Sequence, residues 1–552
     1  MRRLLALLIA AAALAAPASA SAGEGFFVGV ADDDLKFESA RAAAAVDRLG
    51  VRAVRVSLLW SLGHTELSPL DRAWLDRAAA AGRNVRIVLA VYGASAADTP
   101  LDDGAREQYC AFVRSALARY PQIRDVVIWN EPNKSYFWRP QYDAAGASAA
   151  PAAYAALLAR CWDVLHAFRG DVNLLTSTSS KGNDNPAAAS NVSHSPGAFV
   201  RGVGAAYRAS GRTAPIFDTV GHHPYGEHSA ERPWRRHPLS ATIGLGDWDK
   251  LMQAYHDAFA GTAQPNPGRC AGGRCATIWY LEAGFETVPE PGREGLYRGT
   301  EISDHPVPVV SAGDPPGSSP DERSLAPDQA TQLVDAVRLA SCQPHVEAFF
   351  NFLLRDEADL ARWQSGVFAP DWSPKGSFPA LQAVIAEAAG GRVDCRALKG
   401  MTPPATGGGG AAATAPAGGP AAAPLFPAPR TDVPVLKVVW PAAGRFNWRH
   451  DLWRFRVAAG EHATYRATLV QTAVRRNGRW VAVRPRTVRV AAGEVKLGYL
   501  SWVTFGRGRL PHGARYRMEL VLTSKAAATR TTRLVSRPLE VTPPARTLAA
   551  RR

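Results

Sequence analysis

Two glutamates in this sequence sit where carboxylates could do chemistry. Glu131 follows the apolar run Asp125–Trp129 within Asn130-Glu131-Pro132-Asn133, and Glu282 follows the apolar run Ala276–Leu281, ahead of Ala283-Gly284-Phe285. A carboxylate ending a run otherwise fit for burial is costly unless it has partners or a task. Two such groups facing each other would suit cleavage of a bond between sugars. One donates a proton to the leaving oxygen, and the other attacks the anomeric carbon. A gap of about 5–5.5 Å between the carboxyls gives double displacement with retention, whereas a wider gap admits water and gives inversion. The spacing in sequence names the pair and leaves the distance open.

The elements around them are regular. Phe26–Ala31, Val51–Leu58, Val85–Val91, Asp125–Trp129, Val172–Thr176, Phe217–Gly221, Ala276–Leu281 and Val346–Leu353 read as strands. Each precedes a helical pattern, in turn Glu38–Leu49, Leu70–Ala81, Ala105–Arg119, Tyr154–Phe168, Phe199–Ala209, Trp248–Phe259, Gln329–Leu339 and Phe378–Ala388. Apolar strands alternating with helices predict a parallel sheet covered on both faces. Eight such units predict closure into a (β/α)8 barrel, whose function lies at the C-terminal ends of the strands. Both glutamates fall at such ends. No Gly-x-Gly-x-x-Gly follows the first strand, which argues against a dinucleotide site, and no cofactor is implied.

Other residues fit the same scheme. Arg55 faces inward on the second strand if Val54 and Val56 face outward, and the sixth strand ends in Gly221-His222-His223-Pro224-Tyr225. Arg55 and Tyr225 would hydrogen-bond Glu282 and keep it ionised. Asn130 would bind a sugar 2-hydroxyl. His222 and His223 invite a metal reading, but neighbours on a strand point to opposite faces and no His-Glu-x-x-His occurs. No metal is expected, and His222 reads as a packed residue.

Together these motifs resemble clan A glycoside hydrolases, especially families 5 and 39, over roughly residues 25–390. The resemblance implies a retaining mechanism on β-type bonds. It makes Glu131 of Asn130-Glu131-Pro132 the acid/base and Glu282 the nucleophile, with Arg55, Asn130, His223 and Tyr225 in support. Asp371-Trp372-Ser373-Pro374-Lys375-Gly376 resembles a turn common in the clan. Members usually carry a tryptophan at the end of the eighth strand. Here Ala348 to Arg355 contains none, so Phe350, Phe352 or the later Trp363 is the expected substitute.

Loops at the predicted active face hold Trp60, Tyr136, Trp138, Trp234 and Trp363, and aromatic rings pack well on sugar faces. Trp138 and Trp363 are taken as substrate-binding candidates. Arg232, Arg235, Arg236 and His237 read either as a solvated loop or as a reader of acidic sugars. The Pro-, Gly- and Asp-rich segment 284–327 is long enough to be functional and is expected to wall the cleft.

The 552 residues divide by composition. Arg2-Arg3, the apolar run Leu4–Ala16 and small residues to Ala22 read as an export signal over 1–22, too short for a membrane span. The barrel is assigned to 23–400, an Ala/Pro/Gly-rich linker to 401–434, and a β-sandwich of immunoglobulin-like or fibronectin-like type to 435–545. Period-two alternation through Arg515–Leu522 and the Asn477-Gly478 turn support that sandwich. The expected location is extracellular, periplasmic or cell-envelope. Six cysteines in that setting favour disulfides, paired as Cys110–Cys161, Cys270–Cys275 and Cys342–Cys395; zinc is the rival reading, but Cys270 and Cys275 lack a second close pair. The chain carries a net +15, but residues 430–552 alone hold 25 basic against 6 acidic residues, leaving −4 for residues 1–429. This basic module would meet wall or other anionic polymers, or is simply a solvated surface; no motif points to a specific nucleic acid. The expected substrate is a polysaccharide or oligosaccharide. The rivals to hydrolysis are a transglycosylase and an inactive carbohydrate-binding or surface protein on the same barrel.

Overall fold

The computed structural model describes residues 25–270, 275–303, 305–311, 327–395 and 398, and then 435–439, 452–459, 463–477, 479–495, 501–507, 514–525, 531–536 and 539–540. The leader at 1–22 and the linker at 401–434 lie outside the described residues. The chain forms two compact units, 1–236 with 243–411, and 237–242 with 412–552. Among the described residues no helix is long and apolar enough to cross a membrane.

Eight parallel staves close on themselves in the first unit. They are β1 (Phe27–Ala31), β2 (Ala53–Trp60), β3 (Arg86–Gly93) and β4 (Asp125–Ile128), a fifth in two pieces, β5 (Asn173–Leu175) and β6 (Thr178–Ser179), then β7 (Thr219–His223), β8 (Thr277–Ala283) and β9 (Val346–Phe352). β1 pairs with both β2 and β9, and β5 pairs with β7, which completes the cylinder. The closure is tight at Gly221, where a Cβ would stand 1.9 Å from the Thr176 carbonyl oxygen. The (β/α)8 architecture is therefore present.

Eight helices cover the barrel: α1 (Ser39–Leu49), α2 (Pro69–Ala81), α3 (Asp103–Arg119), α4 (Ala150–Phe168), α5 (Pro196–Ala209), α6 (Trp248–Phe259), α7 (Gln329–Cys342) and α8 (Phe378–Ala389). Their starts follow capping chemistry. Ser68 accepts from the Asp71 N–H while Asp71 accepts from the Ser68 N–H, with Pro69 at the first helical position, which satisfies donors that the helix itself leaves open. The barrel interior is packed by Ala53, Val88, Val127, Leu175, Leu281 and Phe350, so the cylinder is a core and only its mouth is open. Cys110 of α3 is bonded to Cys161 of α4, Cys342 of α7 to Cys395 beyond α8, and Cys270 to Cys275.

The second unit is antiparallel. One sheet runs β10 (Val435–Val439), β11 (Leu452–Ala459), β14 (Ser501–Arg507). The other runs β13 (Arg479–Val495), β12 (Ala463–Arg476), β15 (Ala514–Ser524), β16 (Thr531–Val535), with β17 (Leu539–Glu540) also on β15. Along β15 every second residue is buried, from Ala514 through Tyr516, Met518, Leu520 and Leu522 to Ser524. These meet Val457 of β11 with Val503 and Phe505 of β14 in one core, the arrangement of a sandwich. Arg476 faces Arg479 across the β12–β13 turn, with Asn477 at φ +48°. That is the backbone a two-residue hairpin turn requires; Gly478 lies outside the described residues.

Candidate active site

Alternation along β2 places Arg55 on the same side as the interior residue Ala53, with Ser57 above it. Arg55 is 4% exposed. Its Nη1 lies 2.7 Å from Glu282 Oε1, and its Nη2 donates to Asn130 Oδ1 at 2.8 Å. One guanidinium thus ties the ends of the second, fourth and seventh staves together. The planar fork suits this because it can serve two acceptors at once.

Glu282 would not face the mouth by alternation alone, since Trp279 and Leu281 already point into the interior. The β8–β9 register slips between Tyr280 and Ala283, and such irregularities re-aim a side chain. Tyr225 donates to Glu282 Oε2 at 3.3 Å. Burial, then the charges of Glu282 and Glu131, push the Tyr225 phenol well above its usual pKa, so it stays protonated and a donor.

Glu131 reaches the mouth by a different device. Trp129 and Glu131 have φ of +69° and +39°, a backbone region costly for large side chains and often found at functional sites. The Trp129 ring packs against Trp60, Tyr109 and Trp138, away from the mouth, while Asn130 and Glu131 line the cleft. His223 Nδ1 is 2.9 Å from Glu131 Oε1 and 3.4 Å from Glu282 Oε2, and its Nε2 meets Ser177 Oγ at 3.0 Å. Burial raises the Glu131 pKa. The His223 hydrogen bond and charge, followed by Lys134 and Arg55, pull harder, and the net is below the ordinary glutamate value.

Glu131, His223 and Glu282 present atoms all within 4.8 Å of one another. Such a set could ligate a metal ion. However, Arg55 already supplies positive charge at Glu282, and His223 uses both ring nitrogens in hydrogen bonds. His222 takes no part: it contacts Thr178 Oγ1 and the Ile243 carbonyl, and burial lowers its pKa to about 4, so it is a neutral packed residue.

The cleft above the carboxylates has a volume of about 470 Å³. Trp363 and Phe352 line it, with the Trp363 ring 5.6 Å from Tyr225 and 5.2 Å from Phe352. Phe350 is fully buried inside the barrel. Of the three candidates for the missing tryptophan, Phe352 and Trp363 reach the cleft. Trp138 requires a correction. It is fully buried against Trp129 and Tyr154, because the short turn after Glu131 folds it under the fourth loop. Trp60 is likewise core, against Tyr109, while Tyr136 is 79% exposed. From the segment 284–327, Gly284, Phe285 and Glu286 line the cleft; residues 312–326 lie outside the described residues.

Two features escaped the sequence reading. Lys375 of the Asp371–Gly376 turn is buried, and its Nζ bonds both Asp356 oxygens (3.0 and 2.9 Å), Thr287 Oγ1 (2.8 Å) and the Gln364 carbonyl (3.1 Å). It clamps the seventh and eighth loops together. Asn133, also buried, accepts from the Ser179 N–H at 2.9 Å and donates to the His194 carbonyl at 3.1 Å and, at 3.4 Å, the Lys181 carbonyl. It joins the fourth and fifth loops. Asn133 was visible only as the tail of the Asn-Glu-Pro motif.

No protein-family model and no curated protein matches the chain. Among solved structures it is similar to a beta-galactosidase from the psychrophilic Marinomonas ef1, at 12% identity and TM-score 0.38, covering 65% of this chain and 59% of that one. It is similar to a beta-glucosidase from Exiguobacterium marinum, at 10% identity and TM-score 0.40, covering 67% and 99%. A family 1 beta-glucosidase from Thermotoga maritima matches at 12% identity and TM-score 0.42, covering 67% and 99%. The chain spans less than two thirds of the first of these. Likenesses this slight carry no argument about activity.

Proposed function

We propose that the chain is an exported glycoside hydrolase that breaks β-type O-glycosidic bonds of a polysaccharide or oligosaccharide by double displacement. One observation carries the reading: oxygens of Glu131 and Glu282 within 4.8 Å of each other at the mouth of a closed barrel, in an open cleft. That proximity favours the retaining arrangement over the inverting one, which needs about 6.5–9.5 Å between carboxyls.

Glu282, held by Arg55 and Tyr225, attacks the anomeric carbon as the bond to the leaving oxygen breaks. The proton of Glu131 goes to that oxygen. Glu131, now a carboxylate, takes a proton from water, whose oxygen attacks the anomeric carbon and frees Glu282. Asn130, fixed by Arg55, stands beside the acid/base with its amide N–H₂ available to the sugar 2-hydroxyl. The three disulfides and the 1–22 signal support export.

The test is release of reducing ends from aryl β-glycosides and from plant and bacterial polysaccharides. Glu282→Gln is expected to lose at least about 10³-fold in kcat with its thermal transition intact. Wild-type turnover in that variant would remove Glu282 from the mechanism.

A further inference from the structure

Beside the reaction cleft lies a second cavity, of about 150 Å³, that the proposed mechanism leaves unused. Its apolar wall is Phe37 of the helical turn Asp34–Phe37, Leu58 and Leu59 of β2, and Trp74 and Leu75 of α2. Ser57 and Tyr92 line both this cavity and the cleft over the carboxylates, so the two spaces share a wall. By alternation along β2, Leu59 faces the same way as Arg55 and Ser57, and it stands opposite Tyr92 of β3. Leu59 follows Arg55 by two such steps, about 13 Å at the rise of a strand.

The polar side chains around the cavity are engaged with the protein itself. Lys36 Nζ donates to the Ser57 carbonyl at 2.7 Å and pairs with Asp33 at 3.0 Å, while Asp33 accepts from the Ser57 N–H at 2.7 Å. Tyr92 donates to Ser57 Oγ at 3.3 Å, and Asp71 accepts from the Ser68 N–H at 2.9 Å. The Lys36 ammonium also stands 5.2 Å from the Phe37 ring centre and 5.9 Å from that of Trp74, and the two rings meet edge to face at 5.6 Å. Contacts of these two kinds fix the rings in place. Yet Phe37 is 51% and Leu59 48% exposed. Large apolar side chains held open at a concave site with a polar rim mark a place where something binds.

We propose that this cavity is a subsite for an apolar ring of phenyl size, carried by the substrate beyond the sugar that reacts. An apolar cavity of about 150 Å³ takes up benzene, so the size fits. A sugar ring fits the chemistry less well, because its hydroxyls would leave water for side chains whose hydrogen bonds are already made. An aglycone and an aromatic ester on a neighbouring sugar both supply such a ring. The place of the ring in the substrate rests on the hydrolase reading, whereas the affinity of the cavity for a ring does not.

Paired substrates and a free probe test it. An oligosaccharide that the enzyme cleaves is assayed with a benzyl and with a methyl group at its reducing end, then with and without a benzoyl ester on a sugar hydroxyl. Benzyl and methyl alcohols are similarly acidic, so the first ratio reads binding and not leaving-group chemistry. The ring-bearing member of one pair is expected to be preferred by at least about tenfold in kcat/KM, from burial of one ring, and that pair names aglycone or ester. In Phe37→Ser/Leu59→Thr the ratio is expected to fall to near one. Both side chains are half exposed, so the thermal transition should hold. Ratios near one in the wild type, or a preference that survives in the variant, overturn the subsite and leave the hydrolase standing. Binding of benzyl alcohol alone to the full-length chain is read by saturation-transfer NMR. A signal that the double variant loses, without turnover of any glycan by the wild type, upholds the ring affinity and sinks the hydrolase. Absence of both signal and turnover overturns both. A dimer that the double variant dissolves assigns the cavity to a second copy, which also overturns the subsite.

Discussion

At the scale of single residues, the environment of Glu131 has a consequence for pH. In the proposed role of acid it must carry a proton, and His223, Lys134 and Arg55 together outweigh burial and hold its pKa below the ordinary value. The protonated fraction therefore falls as pH rises through a low pKa. The alkaline limb of kcat/KM, which reports free-enzyme groups, is expected on the acid side of neutrality. Because the His223 hydrogen bond and charge lower that pKa, His223→Ala moves the limb upward. A pH–rate series on both proteins checks the sign; a limb that stays put or moves down assigns it to another group. Trp363, 37% exposed at the cleft beside Tyr225, is expected to contribute about 1 kcal/mol of sugar packing, so Trp363→Ala loses roughly fivefold in kcat/KM. A loss confined to thermal stability would mark it as a loop anchor instead. The placement of Glu131 and Glu282 at the barrel mouth was legible from residue type and position after an apolar strand. Trp138 was not, since an aromatic in a loop reads the same whether it faces sugar or core.

At the scale of elements, eight strand–helix units were legible because burial on both faces leaves uninterrupted apolar runs. The β8 irregularity and the left-handed Trp129 were not. Neither shows as a pattern of residue types: one is a slip in the β8–β9 register and the other a positive φ at a bulky residue. The Asp371–Gly376 turn showed in the sequence, whereas its purpose appears only once Lys375 meets Asp356 across two loops. Removing one member of such a buried pair strands the other, typically at 3–5 kcal/mol. Lys375→Met is expected to lower barrel stability by about that much in urea unfolding. Adding Asp356→Leu should recover part of the loss, since the uncompensated charge is gone. A single variant as stable as the wild type would mean that the clamp holds nothing.

At the scale of the whole molecule, each of the two units has its own core. Deleting 401–552 is therefore expected to leave a folded barrel whose kcat/KM on a soluble oligosaccharide is within about twofold of the full chain. The same deletion should abolish retention on anionic wall polymer if the basic unit is the anchor, a difference that fades with salt. Retention by the barrel alone would take that role away from the C-terminal unit.

By itself the sequence determined the barrel, the sandwich and the pair of carboxylates. Each is written in local terms: the period of apolar residues, turn chemistry, and an acid at the end of a buried run. Only the tertiary structure decided which side chains meet. Arg55 on Glu282 and His223 between both carboxylates join residues from 59 to 227 positions apart. Such distances are closed by the curvature of the barrel, and charges brought that close in a partly dehydrated mouth alter one another in ways a linear reading does not contain.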